Sequence, residues 1–111
     1  MKIKTSLEDG IQTLRIIPET DFVASRIDDL KKYCWEMVDG HPDAAHIVLD
    51  ACGVDLMDSL GVNFIVGLFR KAEASHKTLE IVRAEKNFME VACFFRLGSL
   101  FPIHAREETG P

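Results

Sequence analysis

One short stretch of the sequence concentrates the side chains that could do chemistry. Residues 47–61 read IVLDACGVDLMDSLG, an apolar run that ends in Asp50 and a short segment that leads through Asp58 and Ser59 into another apolar run. A strand, a loop and the first turn of a helix form the place where α/β sheets bind ligands. The unpaired backbone N–H groups of a helix start suit a capping hydroxyl and suit a phosphate better. Ser59 is therefore a phosphate acceptor, or Ser59 or Asp58 only caps the helix, and position alone favours the cap.

The spacing of this stretch resembles the signature of STAS domains, the family of bacterial anti-sigma factor antagonists. In that signature an apolar strand that ends in Asp precedes a D-S-x-G helix start. The residues that match are Asp50, Val54, Met57, Asp58, Ser59 and Gly61. The run FFRLGSLF at 94–101 is a second similarity, and the resemblance extends over residues 3–104.

The resemblance implies a function for Ser59. In the family, an anti-sigma factor that is also a serine protein kinase phosphorylates the serine at this position, and the unphosphorylated protein binds that factor and frees sigma. Glu19-Thr20-Asp21 resembles the family's acidic G-E-L-D element, and Leu60 stands where a second serine is common. We therefore expect a partner-binding surface formed by Glu19, Asp21, Asp50, Asp55, Met57, Asp58 and Gly61, with a phosphatase as a further candidate partner.

Gly61 has two interpretations, because it lacks a Cβ two residues after Ser59. Either the backbone of a partner approaches closely there, or the start of the helix packs tightly against the central strand. A glycine this early in a helix is otherwise a cost, so the partner interpretation is favoured.

Other chemistry for the same residues is less well supported. As a nucleophile, Ser59 lacks the G-x-S-x-G elbow, and no histidine is obviously placed as its base. A receiver-type site would draw acids from the first strand as well as Asp50, Asp55 and Asp58, and the alternating residues 3–7 include none. The histidines lack the spacing of metal ligands. We expect no enzyme activity, cofactor or metal. The alternative to a phosphorylation-controlled antagonist is a fixed structural STAS subunit of a larger complex, such as a lipid-transport ATPase assembly.

Composition limits the class of protein. The chain has 111 residues with 13 basic and 18 acidic side chains, a formal net charge of −5, so one acidic domain without a nucleic-acid partner is expected. The N-terminus lacks a signal-peptide pattern and no apolar run is long enough to span a membrane, which predicts a cytoplasmic protein. We expect a monomer or a weak homodimer. Cys34, Cys52 and Cys93 form no CxxC pair and are interpreted as buried thiols.

The first half of the chain predicts the elements that lead to this stretch. Alternating apolar and polar residues flank Asp9-Gly10, a dipeptide that favours a tight hairpin turn because both positions accept a positive φ. An amphipathic helix follows, with Asp21 as its cap and Gly40 as its stop. The apolar run 46–50 is typical of a central strand covered on both faces.

The second half predicts two more helices and two more strands. Residues 60–74 form a largely buried helix, and residues 78–82 a strand. A third helix carries an apolar stripe between a cap at Asn87 and a stop at Gly98, before a last strand at 100–103 and a frayed tail at 105–111. The prediction is a single STAS-like α/β domain over 1–111, with a mixed sheet of four to five strands, an N-terminal hairpin and three to four helices packed on it.

Overall fold

A computed structural model describes residues 3–106 of the chain. Its five strands form one mixed sheet in the order β1-β2-β3-β4-β5. The strands are β1 (Ile3–Glu8), β2 (Thr13–Pro18), β3 (His46–Asp50), β4 (Thr78–Ala84) and β5 (Ile103–Ala105), and the helices are α1 (Ala24–Gly40), α2 (Ser59–Ala74) and α3 (Lys86–Phe94), with a 3-10 turn at Leu97–Ser99. Only β1 runs antiparallel to its neighbour. The predicted α/β class is confirmed.

All three helices lie on the same face of the sheet. The parallel strands follow one another in sequence order, and each crossover between them is right-handed by the rule for such connections, so successive helices fall on one side. Ile47 and Leu49 of β3 point to that side and are fully buried. The prediction that β3 lies in the middle of the sheet is confirmed. Val48 and Asp50 point to the opposite side of the strand and are also buried, so the expectation that β3 is covered on both faces is confirmed. Arg15 and Arg83 from the neighbouring strands cover Asp50 on that side.

The opening hairpin confirms the predicted turn residues and differs in loop length. Asp9 and Gly10 have φ angles of 52° and 72°, as the dipeptide requires. The last paired residues are Glu8 and Thr13, so the loop contains four residues instead of a tight two-residue turn. The Gln12 N–H donates to the Asp9 carbonyl and closes it.

The start of α1 differs from the prediction. Asp21 does not cap this helix, which begins at Ala24 after Val23, a residue whose side chain makes no capping hydrogen bond. The cap comes from elsewhere in the chain, because the Ala24 N–H donates to the Asp58 carboxylate at 3.0 Å. The predicted stop at Gly40 is confirmed.

The C-terminal elements are shifted along the chain. Helix α3 follows Glu85, so Asn87 lies inside the helix and is not its cap, and Gly98 lies in the 3-10 turn. Strand β5 occupies 103–105 instead of 100–103. Residues 105 and 106 are not frayed, because Ala105 ends β5 and the Arg106 N–H donates to the Ala84 carbonyl at 2.9 Å. The rest of the predicted tail, 107–111, lies outside the described residues.

The core contains one cysteine and is centred on aromatic contacts. Cys34 is buried, and burial raises the pKa of its thiol to about 12. The expectation of three buried thiols is wrong for Cys52, which is half-buried, and for Cys93, which is exposed. Phe22, between β2 and α1, makes edge-to-face contacts with one ring of α2 and one of α3.

Among residues 3–106, no helix has the length and apolar character needed to cross a membrane.

Candidate functional site

The candidate site is the β3–α2 loop, residues 51–58, together with the first turn of α2. It lies at the carboxyl edge of the parallel strands. Val54 and Met57 turn inward and are buried, whereas the side chains of Leu56 and Leu60 are 52% and 47% exposed. Phe22 and Met57 form a parallel β-bridge, which joins the loop to the segment before α1. The loop and the first turn of α2 therefore each present one leucine to solvent, on a backbone that is tied to the core.

A buried ion-pair cluster holds the beginning of the loop. Asp50 is 0% exposed, and its carboxylate accepts hydrogen bonds from Arg15 of β2 (Nη2, 2.6 Å) and Arg83 of β4 (Nη2, 2.6 Å). The same carboxylate accepts the Cys52 N–H at 3.1 Å. Burial raises the pKa of Asp50, but the hydrogen bonds from Arg83, Arg15 and Cys52 outweigh burial, so the pKa lies below its usual value. Asp50 lies beneath the surface and shapes the loop from inside.

Asp21 holds the middle of the loop. Its Oδ1 accepts the backbone N–H groups of Asp55 at 3.2 Å and Leu56 at 3.1 Å. The Phe22 N–H donates to the Leu56 carbonyl at 2.9 Å and continues this contact. A carboxylate that accepts two backbone N–H groups orders a loop that has no regular ladder of its own. This explains why Asp21 is unavailable to cap α1.

Asp58 holds the end of the loop and begins α2. Its Oδ1 accepts the Gly61 N–H at 2.9 Å, so Asp58 is the N-cap of the helix. Its Oδ2 accepts the Ala24 N–H, and one side chain therefore caps α1 and α2 together. These backbone hydrogen bonds lower the pKa of Asp58. Of the two candidate caps, the structure uses Asp58 and not Ser59.

Ser59 is the first residue of α2, and its side chain is exposed. Within residues 3–106, its hydroxyl takes part in no hydrogen bond, because Asp58 supplies the cap. The hydroxyl therefore stands at the positive end of the helix dipole with no structural task of its own.

Gly61 lies inside the packing of the helix start. A Cβ built on this residue would overlap the Phe22 carbonyl oxygen and would lie 2.9 Å from both Met57 Cγ and Phe22 Cβ. Gly61 itself is buried. The expectation that the missing side chain makes room for a partner is therefore wrong. Neighbouring atoms of this chain already occupy the space.

Glu19 and Asp55 complete the acidic side of the site. The Glu19 carboxylate forms an ion pair with Lys4 at 2.9 Å, and its Cα would lie 2.9 Å from a Cβ at Gly53, so the two backbones pack directly. Asp55 is exposed and accepts a hydrogen bond from Asn87 Nδ2 at 3.2 Å. Glu19 therefore packs against the β3–α2 loop at Gly53, and Asp55 is part of that loop.

Most of the predicted residues thus lie in the β3–α2 loop or contact it, but the structure assigns them different tasks. Asp21 and Asp58 hold the backbone, Met57 and Gly61 pack inward, and Asp50 lies underneath. Sequence reasoning missed four residues that the structure adds to the site: Arg15, Arg83, Leu56 and Leu60. The two arginines carry no signal in the sequence, because nothing local indicates which carboxylate they reach. No group of three or more metal-ligand side chains among residues 3–106 could hold a metal ion.

Comparison with known proteins identifies the family. The STAS domain model matches residues 2–110. The chain therefore belongs to the STAS domain family. No curated protein matches it in sequence.

Solved structures show the same fold at low sequence identity. The chain is similar to an anti-sigma factor antagonist from Mycobacterium paratuberculosis, with a TM-score of 0.74, 18% identity, and coverage of 93% of this chain and 86% of that one. It is similar to SpoIIAA in its unphosphorylated form (TM-score 0.75, 18% identity, coverage 96% and 90%). It is also similar to the Bacillus cell fate determinant SpoIIAA in the phosphorylated form (TM-score 0.67, 18% identity, coverage 96% and 94%).

Proposed function

We propose that this protein is an anti-sigma factor antagonist that works by partner switching. The surface around Ser59 binds an anti-sigma factor that is also a serine kinase, and phosphorylation of Ser59 by that kinase ends the binding. The observation that carries the proposal is the unengaged hydroxyl of Ser59 at the start of α2, beside an Asp58 that already caps the helix. A solved relative, SpoIIAA, has structures in both the phosphorylated and the unphosphorylated form.

The fold can accept the phosphate. A phosphoserine adds about −1.5 to −2 charges at pH 7, and the start of a helix is a favourable place for them because of its backbone N–H groups. Ser59 is exposed, so phosphorylation displaces no packed side chain. We therefore expect the phosphorylated protein to keep its structure.

Phosphorylation would change the charge of the surface around Ser59. Asp55 and Asp58 already make this edge acidic, and the added phosphate raises its negative charge further. Leu56 and Leu60, on either side of Ser59, offer apolar contact area that a partner would have to desolvate together with the phosphate. Burying a charge without a counterion is costly, so a partner that covers the leucines is released. The switch requires no catalysis by this chain.

The test measures phosphorylation and binding on matched variants. The wild type, Ser59→Ala and Ser25→Ala are incubated with ATP and an anti-sigma factor kinase from the same organism, and intact mass is recorded. Ser25 is the control, because it is an exposed serine in the first turn of α1. We expect one added phosphate on the wild type and on Ser25→Ala, and none on Ser59→Ala. Ser59→Ala should still bind the partner, whereas Ser59→Asp should fold and bind weakly.

Two results would contradict the proposal. Phosphate on Ser59→Ala as readily as on the wild type would remove Ser59 from the switch. Recovery of transporter subunits with the purified complex, with no kinase and no effect of Ser59→Asp on binding, would favour the structural STAS subunit instead.

A further inference from the structure

Arg83 has a backbone conformation that an arginine rarely adopts. Its φ angle is 53°, in the left-handed region, and it lies between Ile81 and Ala84, where the pairing of β4 with β5 shifts in register. Side chains with a Cβ avoid this region for steric reasons. A non-glycine residue held there indicates that something else in the structure favours its placement.

That conformation directs the guanidinium to Asp50. Arg83 Nε lies 3.0 Å from both carboxylate oxygens, and Nη2 lies 2.6 Å from Oδ2. The side chain of Arg83 is 51% exposed, although the carboxylate that it contacts is 0% exposed. Arg83 therefore covers a buried acid from the solvent side. Arg15 approaches the same acid from β2.

The Asp50 carboxylate links this contact to the β3–α2 loop. Its Oδ1, which accepts Arg83 Nε, also accepts the Cys52 N–H at 3.1 Å. The Cys52 sulfur lies 3.1 Å from Arg83 Nη2. Cys52 is the second residue of the loop, and its position sets the path of the chain toward Leu56 and Ser59.

We propose that Arg83 is a positioning residue for the β3–α2 loop, which acts through Asp50 to hold the loop in the form that the anti-sigma factor binds. The inference rests on the proposed function. It adds a specific role for a β4 residue that lies outside the loop and outside the first turn of α2. A purely structural Arg83 would neutralise Asp50 and affect stability alone.

The test compares Arg83→Gly with Arg106→Gly. Glycine accepts a positive φ, so Arg83→Gly removes the guanidinium and at the same time relieves the backbone strain. Arg106 is the matched control, because it also forms an exposed ion pair at 2.6 Å, with Glu85. A third variant, Arg83→Lys, keeps the charge but replaces the planar fork by a single ammonium group.

Hydrogen exchange of the Cys52 amide is the readout that needs no partner. In Arg83→Gly we expect this amide to exchange about tenfold faster, because the local opening of the loop becomes easier. The amide of Leu68 in α2 should exchange at the wild-type rate. In Arg83→Lys the Cys52 amide should exchange at a rate between those of Arg83→Gly and the wild type. In Arg106→Gly it should exchange at the wild-type rate. Unchanged exchange at Cys52 in Arg83→Gly would overturn the proposal.

Partner affinity is the second readout. If the loop of Arg83→Gly is in the binding form for only about a fifth of the time, affinity for the anti-sigma factor falls about fivefold. Faster exchange at Cys52 with wild-type affinity would also overturn the proposal, because the loop would then not control binding. If the wild type itself binds no anti-sigma factor, the proposed function fails, and the exchange of Cys52 decides separately whether Arg83 positions the loop.

Discussion

Replacing Gly61 by alanine tests the packing at the start of α2. The added methyl group would overlap the Phe22 carbonyl oxygen and would lie 2.9 Å from Met57 Cγ and Phe22 Cβ. The carbonyl cannot move away easily, because it accepts the Asp58 N–H at 3.1 Å. The neighbouring Phe22 N–H donates to the Leu56 carbonyl. Relief of the overlap therefore requires a shift of the backbone bridge that joins the loop to the core.

The magnitude follows from this arrangement. Overpacking in a well-packed core costs about 1 to 3 kcal/mol, and a clash with backbone belongs at the upper end of that range. We expect Gly61→Ala to lower the free energy of unfolding by about 3 kcal/mol. For a domain of this length each kcal/mol shifts Tm by about 4 °C, so Tm should fall by about 12 °C.

Gly67→Ala is the matched control in the same helix. A Cβ on Gly67 would lie 3.5 Å from the nearest atom of the Trp35 ring, an ordinary van der Waals contact. Alanine also favours the helix over glycine by about 0.5 to 1 kcal/mol, so this variant should be as stable as the wild type or more stable. The assay is urea unfolding followed by circular dichroism, with thermal melts. A Gly61→Ala protein with wild-type stability would refute the reasoning, and equal losses in both variants would show that the effect is not specific to Gly61.

Two further predictions concern ionisable groups. The pKa of Asp50 is lower in the folded protein than in the unfolded chain, where it is near 3.9. Its contribution to stability is therefore complete above that value and is lost as the pH falls through the folded-state pKa. Between pH 7 and pH 3, the free energy of unfolding measured with urea should fall less for Asp50→Asn than for the wild type. An equal fall in both proteins would contradict the lowered pKa of Asp50. A thiol reagent, with the labelled sites mapped by mass spectrometry, should modify exposed Cys93 in the native protein and leave Cys34 unmodified. Cys34 is protected because burial excludes the reagent and raises the pKa of the thiol to about 12. Rapid labelling of Cys34 in the native protein would contradict its burial in the core.

The sequence alone predicted the main elements that surround the candidate site. The apolar run that ends at Asp50 predicted the central strand, and the apolar residues after the D-S-x-G motif predicted a helix over 60–74, which the structure begins one residue earlier, at Ser59. Such patterns are readable because they depend on neighbours within about four residues along the chain, the range over which helix capping and strand alternation act. Asp58 was one of the two expected caps for the same reason.

The tertiary structure decided what each acid does. Asp21 reaches the Leu56 N–H across 35 residues of sequence, and Asp50 meets Arg83 across 33. Which backbone N–H or guanidinium a carboxylate reaches depends on how separate strands and helices cross, and no local pattern records that. Gly61 illustrates the same limit: its sequence position allowed a partner or a packed neighbour, and only the approach of Phe22 from the segment before α1 settled the choice. Local patterns indicate which elements form, whereas long-range packing determines which of their polar groups remain available for a partner.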